Sequence, residues 1–219
     1  MHLMKSIYSA LILFVVIAAA CGEPSQQNNE VKGYYLSKST PRDSLLIFVN
    51  NPNQDTLKVL ALSYLSWQVR RDYPDSAIAL AERSRDLADS LVYIKGLSYS
   101  NNILASAYRI VGDYEKAVEC NKTAYLYASQ AGDSAMMSSV LGNLGTIYLT
   151  QGNYPQAMEK FLEALKIAER LNDSASITVD LGNIATVFIW QNTPDSSLKY
   201  FYEALQYDQA LRDSSGISF

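Results

Sequence analysis

The stretch LGNLGTIYLTQGNYPQAMEKFLEA, residues 141–164, decides the fold. Leu141, Leu144, Gly145 and Tyr148 fall at i, i+3, i+4 and i+7, which is one face of a helix. Gln151-Gly152-Asn153 then breaks the helix, with Gly152 suited to left-handed backbone, and Pro155 stands where a first-turn proline is tolerated. Ala157, Phe161, Ala164, Leu165 and Ala168 make the apolar face of a second helix. Asn172-Asp173-Ser174 ends that helix and caps the next. The unit is a pair of helices, each about 17 residues or 26 Å long. Small residues at Gly145, Ala157 and Ala164 let the two backbones approach, while Tyr148 and Phe161 fill the adjacent space. One pair alone leaves an apolar flank exposed, so pairs must stack.

The chain repeats this unit every forty residues. Tyr108, Tyr148 and Phe188 keep that step, as do Leu104, Leu144 and Ile184, and Gly112, Gly152 and Asn192. Ala124, Ala164 and Ala204 follow it too, and Asp133-Ser134, Asp173-Ser174 and Asp213-Ser214 recur at the same interval. A fixed period of this length is the signature of a solenoid. An eroded earlier unit starts with Leu57, Leu60, Ala61 and Tyr64, where Pro74-Asp75-Ser76 echoes Pro194-Asp195-Ser196. Arg42 to Val49 reads as a short helix and Asn50 to Gln54 as a turn. The fold class predicted is all-α, one right-handed superhelix of antiparallel helix pairs spanning 41–219. Its units lie near 57–93, 94–134, 135–174 and 175–214, with a truncated fifth from 215.

Leu144-Gly145, Tyr148, Gly152, Ala157, Phe161 and Ala164 resemble the tetratricopeptide repeat motif, at that family's spacing. The motif returns as Leu104-Ala105, Tyr108, Gly112, Ala117 and Ala124, with Asn121 in place of the expected aromatic. It returns again as Ile184-Ala185, Phe188, Asn192, Ser197, Phe201 and Ala204. The familiar period is 34, and a period of 40 resembles the long-helix variants of that family, including the kinesin light chain. HEAT and armadillo repeats share a period near 40 but lack this Gly/Ala/Tyr spacing.

The first residues are of another kind. Ala10 to Ala20 run without a polar side chain behind Lys5, which suits the apolar region of a secretory signal, about 7–15 residues long. The run is shorter than the roughly 18 residues of a permanent membrane span. Ala18, Ala19 and Ala20 end it, and Cys21-Gly22 follows. This junction resembles the lipobox of bacterial lipoproteins, which implies that Cys21 is acylated and becomes the mature N-terminus. It departs from that pattern at Ala18, where Leu is commoner, and cleavage as an ordinary secreted protein is the alternative. Residues 1–20 read as signal peptide and 21–40 as a flexible tether, since Gly22 to Lys32 carries one aliphatic residue and cannot offset its ordering entropy by burial.

Composition excludes several chemistries. Of the 219 residues, 48% are hydrophobic and 18% charged, the balance of an ordered chain. Removing residues 1–20, which hold one Lys and no acid, takes the net charge from −4 to −5, so the chain lacks the basic footprint of a nucleic-acid binder. The one histidine, His2, falls in the signal segment, so the mature chain cannot build a Ser-His-Asp, Cys-His or histidine-metal site. No enzyme activity, cofactor or metal is therefore expected. Cys120 reads as a packing residue. Leu141-Gly142-Asn143-Leu144-Gly145 is glycine-rich but lies inside a helix and follows no strand, so it is no phosphate loop. Asp-Ser or Asp-Thr before an aliphatic residue, at Asp43, Asp55, Asp75, Asp89, Asp133 and Asp173, resembles an O-glycosylation motif of some Gram-negative bacteria. Helix capping accounts for the same recurrence.

The family resemblance implies a concave groove lined by the first helix of each pair, taking an extended or helical peptide. On those helices Asn143, Thr146 and Thr150 face away from Leu141, Leu144 and Tyr148, and Asn183, Thr186 and Trp190 repeat them forty residues on. Asn nine residues before the turn position resembles the peptide-contacting Asn of groove-binding members, and Tyr99 is placed with this face. The preceding unit departs, with Ile103 there and Asn102 beside it. No Lys or Arg holds these three places, which argues against a clamp for a C-terminal carboxylate. The function expected is a membrane-tethered scaffold for a protein or peptide partner, an outer-membrane lipoprotein facing periplasm or cell surface. The alternative is the sensor ectodomain of a larger signalling protein, a histidine kinase or regulator. Asp213-Ser214 matches a cap that opens a new pair, yet five residues follow. The chain is thus expected to be a fragment that self-associates through its uncovered end.

Overall fold

The structure is a computed structural model and describes residues 36–214. The signal segment, Cys21 and the start of a fifth unit from 215 lie outside the described residues. The first of the helices, α1 (Arg42–Asn50), packs on α2 (Thr56–Val69), and α2 pairs with α3 (Pro74–Ser90). The next pairs are α4 (Ile94–Ile110) with α5 (Tyr114–Gln130), α6 (Ser134–Thr150) with α7 (Tyr154–Leu171), and α8 (Ser174–Trp190) with α9 (Pro194–Ser214). First helices also touch one another, α2 on α4, α4 on α6 and α6 on α8, whereas among the described residues the backbones of second helices do not approach one another as closely. The architecture is an all-α solenoid of stacked pairs.

Capping sets the helix boundaries. The side chains of Asp55, Asp113, Asp133, Asn153 and Asp173 accept from the backbone N–H three residues on, at 2.9 to 3.3 Å. Asp43 and Asp75 lie in first turns, where a negative charge meets the helix dipole. Asp89 departs from this pattern, since it sits in the last turn of α3. Between helices the chain turns through left-handed residues, Gly112, Gly152 and Asn192 within pairs and Gly132 and Asn172 between them. Val92 holds the corresponding place one unit earlier at φ 52°, although a branched side chain disfavours it. Arg212 stands forty residues after Asn172, and α9 runs on through Asp213 and Ser214 instead of stopping before them.

The core runs between and across pairs. Phe161 is fully buried with Ala157, Leu165, Ile177, Leu181 and Ile184, so the second helix of one pair packs under the first helix of the next. Gly145 makes that possible, since a Cβ on it would lie 2.6 Å from the Phe161 ring. Hydroxyls lock first helices to their partners, with Ser98 donating to the Ala124 carbonyl at 3.0 Å and Ser138 to that of Ala164 at 3.1 Å. On α9, Leu198, Phe201, Tyr202 and Leu205 are exposed, Phe201 at 42% where its repeat partner Phe161 shows none.

At the other end α1 covers α2, burying Leu45 and Val49. Lys58 reaches across to donate to the Asn51 carbonyl at 2.7 Å, closing the C-terminus of α1. Residues 38–40, assigned from sequence to the tether, are held against α2. Gln68 donates to the carbonyl of Thr40 at 2.7 Å, and the Lys38 ammonium lies 5.4 Å from the centre of the Trp67 ring. The docked segment therefore begins before Pro41, because Trp67 gives the lysine a π face to rest on.

Candidate functional site

The face formed by α2, α4, α6 and α8 opens into a cleft between α6 and α8, of about 430 Å³. Asn143 and Thr146 line it from α6 and Asn183 from α8, so the structure brings these three sequence-predicted residues together. Thr150, Thr186, Trp190 and Tyr99 lie outside its lining. Trp190 is exposed near the end of α8, and Thr150 is exposed at the end of α6. Tyr99 is half-buried, packed against the cluster that holds Ala124, Met136 and Val140, and edge-on to Tyr64 with ring centres 6.4 Å apart. Burial, with a smaller contribution from Asp133, pushes its phenol pKa up. The places equivalent to Tyr99 in the next units are Ser139 and Val179, and both line the cleft. A large ring followed by smaller side chains helps explain why the cleft opens between α6 and α8.

The threonines are engaged. Thr146 donates to the Gly142 carbonyl at 2.9 Å, Thr150 to that of Thr146 at 2.8 Å, and Thr186 to that of Gly182 at 2.8 Å. Each bond runs one turn back along the same helix, so a ligand meets oxygen lone pairs rather than donors. Asn143 Nδ2 donates to Asn102 Oδ1 at 2.6 Å, a side-chain tie between α4 and α6. The asparagine beside the departing Ile103 thus still meets the groove residue, while Ile103 itself is core.

Asp180 was missed from sequence. It lines the cleft from α8, is 5% exposed, and its Oδ2 has no hydrogen-bond partner. Burial, with a smaller repulsion from Asp173, pushes its pKa up to about 7. The signal was available in the repeat itself, because the two preceding units carry Ser100 and Val140 at the same place.

A second cleft of similar volume lies away from the groove, among α3, α4 and α5, lined by Arg85, Asp86, Lys116, Glu119 and Cys120. Its charges are of both signs. Burial pushes the Cys120 thiol up to about 11, so it stays protonated and weakly nucleophilic at neutral pH. Among the described residues no three His, Cys, Asp or Glu side chains gather as metal ligands, and no helix is long and apolar enough to cross a membrane.

Residues 97–170 match a family model described as tetratricopeptide repeat. No curated protein sequence matches the chain. Among solved structures it is similar to BtubC (BKLC) from P. vanneervenii, at TM-score 0.64 and 19% identity, covering 78% of this chain and 71% of that one. It is also similar to aspartyl phosphate phosphatase F from Bacillus subtilis, at TM-score 0.69 and 17% identity, covering 78% of this chain and 45% of that one. A putative kinesin light chain of Podosopora anserina with nearly identical repeats matches at TM-score 0.59 and 13% identity, covering 78% and 84%. At these identities the likeness is one of fold, and the chain spans less than half of the phosphatase.

Proposed function

We propose that this chain, whose residues 97–170 match the tetratricopeptide repeat model, is a non-enzymatic scaffold. It holds a segment of a protein partner in the groove of its first helices and is tethered to a membrane through Cys21. The observation that carries the groove reading is the cleft between α6 and α8, where Asn143, Thr146 and Asn183 converge. An amide offers both donor and acceptor to an extended backbone, which is what a peptide without regular structure needs from its receptor. The test uses a peptide selected against the full chain. Asn143→Ala combined with Asn183→Ala is expected to weaken that peptide by about 1–3 kcal/mol in total, read by calorimetry. Helicity and melting should barely move. Unaltered affinity in a folded double variant would take the binding site off this face.

The tether rests on the junction Ala20-Cys21-Gly22. Stable attachment requires more than one acyl chain, each buried methylene contributing about 0.8 kcal/mol. Gly22 is not the Asp that resembles an inner-membrane retention signal, which favours the outer membrane. Cys21→Ala is expected to move the protein out of the membrane fraction. Continued sedimentation with membranes in high salt would sink the lipid anchor.

A further inference from the structure

Asp180 stands in the cleft almost wholly buried, with its Oδ2 unpartnered. A carboxylate without a donor is expensive to bury, and the cost is confined to this unit, since Ser100 and Val140 occupy the equivalent places. Hydroxyls that line the cleft do not relieve it. Ser138 donates to the Ala164 carbonyl, Thr146 to that of Gly142, and Ser176 to Asp173 Oδ2 at 2.7 Å. With those protons committed, the three oxygens present lone pairs to the cleft. Asn143 has committed an amide proton to Asn102 as well. No Lys or Arg lines the cleft. Gly142 lies opposite the carboxylate, and a Cβ there would sit 3.7 Å from Asp180 Oδ1, so a longer side chain at 142 would crowd what the glycine leaves open. The cleft therefore offers one buried anion among three hydroxyl oxygens whose protons are spent, beside the Ser139 hydroxyl and the amides of Asn143 and Asn183.

We propose that the cleft between α6 and α8 takes the cationic end of a lysine or arginine side chain presented by the bound polypeptide, with Asp180 as its counter-ion. The proposal rests on the groove reading above and gives it a chemical preference. An ammonium brings three donors and a guanidinium five, which is what a carboxylate and committed hydroxyl oxygens can accept. The groove also gains a register, because one side chain of the guest must enter at one place along an otherwise repeating surface.

Two measurements test it, the first a pH titration and the second a selection at pH 8, above the raised Asp180 pKa of about 7. In the first, n-butylammonium chloride is titrated into the full chain carrying ¹³C-labelled aspartate, against sodium chloride at equal ionic strength. The Asp180 carboxyl titration is expected to move to lower pH with the amine only. An identical titration in both salts overturns the proposal whether or not any peptide binds. In the second, random peptides are selected on the full chain. Binders are expected to share a Lys or Arg at one position and to weaken about 10- to 100-fold with Asp180→Asn, but not with Asp173→Asn. Binders that lack the cation, or that ignore Asp180→Asn while responding to Asn183→Ala, overturn the proposal and leave the groove reading standing. Binders indifferent to both, or no binders, overturn the groove reading and the proposal with it.

Discussion

Replacing Phe161 by alanine is expected to destabilise the chain by about 3–5 kcal/mol, the cost of emptying a fully buried aromatic site. Phe161 is on α7, yet its neighbours Ile177, Leu181, Ile184 and Val187 are on α8. The loss therefore falls on the joint between two pairs. Urea denaturation should show a lowered midpoint, and amide exchange in α8 and α9 should rise ahead of exchange in α2 to α5. Gly145 supplies an internal control, since Gly145→Ala places a methyl within 2.6 Å of the ring. It should destabilise the native chain through overpacking, and stabilise the Phe161→Ala variant, where helix propensity acts without the clash. An unchanged midpoint for Phe161→Ala would mean that α8 does not pack on α7 as described.

Asn121→Leu is expected to stabilise the chain by about 1–3 kcal/mol. Asn121 is fully buried, and neither its amide oxygen nor its nitrogen has a hydrogen-bond partner. It holds the place that Phe161 fills one unit later, while Ala105 stands where Gly145 does. The first unit has Leu65 and Ala81 at these two places, both buried. A leucine at position 121 facing Ala105 would restore the same pair of side chains with their order exchanged, so the volume fits the pattern. The melting temperature should rise by about 2–4 °C for each kcal/mol gained in a chain of this size. A fall in melting temperature would show that the amide is satisfied in solution, and that the site is polar by need.

The repeat was legible because its signals are local. The contact of Gly145 with Phe161 and the turn at Gly152 each act within one pair, and a forty-residue step multiplied them. What escaped notice depends on particular neighbours. Val92 adopts left-handed backbone that its own side chain disfavours, so only the fold around it reveals the turn. The residues predicted for the groove follow the helix period correctly, but the period does not say which hydroxyl proton is already spent. Thr146, Thr150 and Thr186 bond back into their own helices, a choice of rotamer that sequence does not encode. Asp180 was overlooked for the opposite reason, since it breaks the repeat and a period displays only what keeps it.

Among the described residues the backbones of successive first helices approach more closely than those of second helices, which makes the stack mechanically unequal on its two sides. It is bound like a book along its spine. Under load the outer edges can fan apart while the bound edge keeps its spacing, so bending is absorbed on the side away from the cleft. A guest lying along the spine, as proposed above, would meet a track of nearly constant pitch, and the protein could flex without changing the distances that such a guest must match.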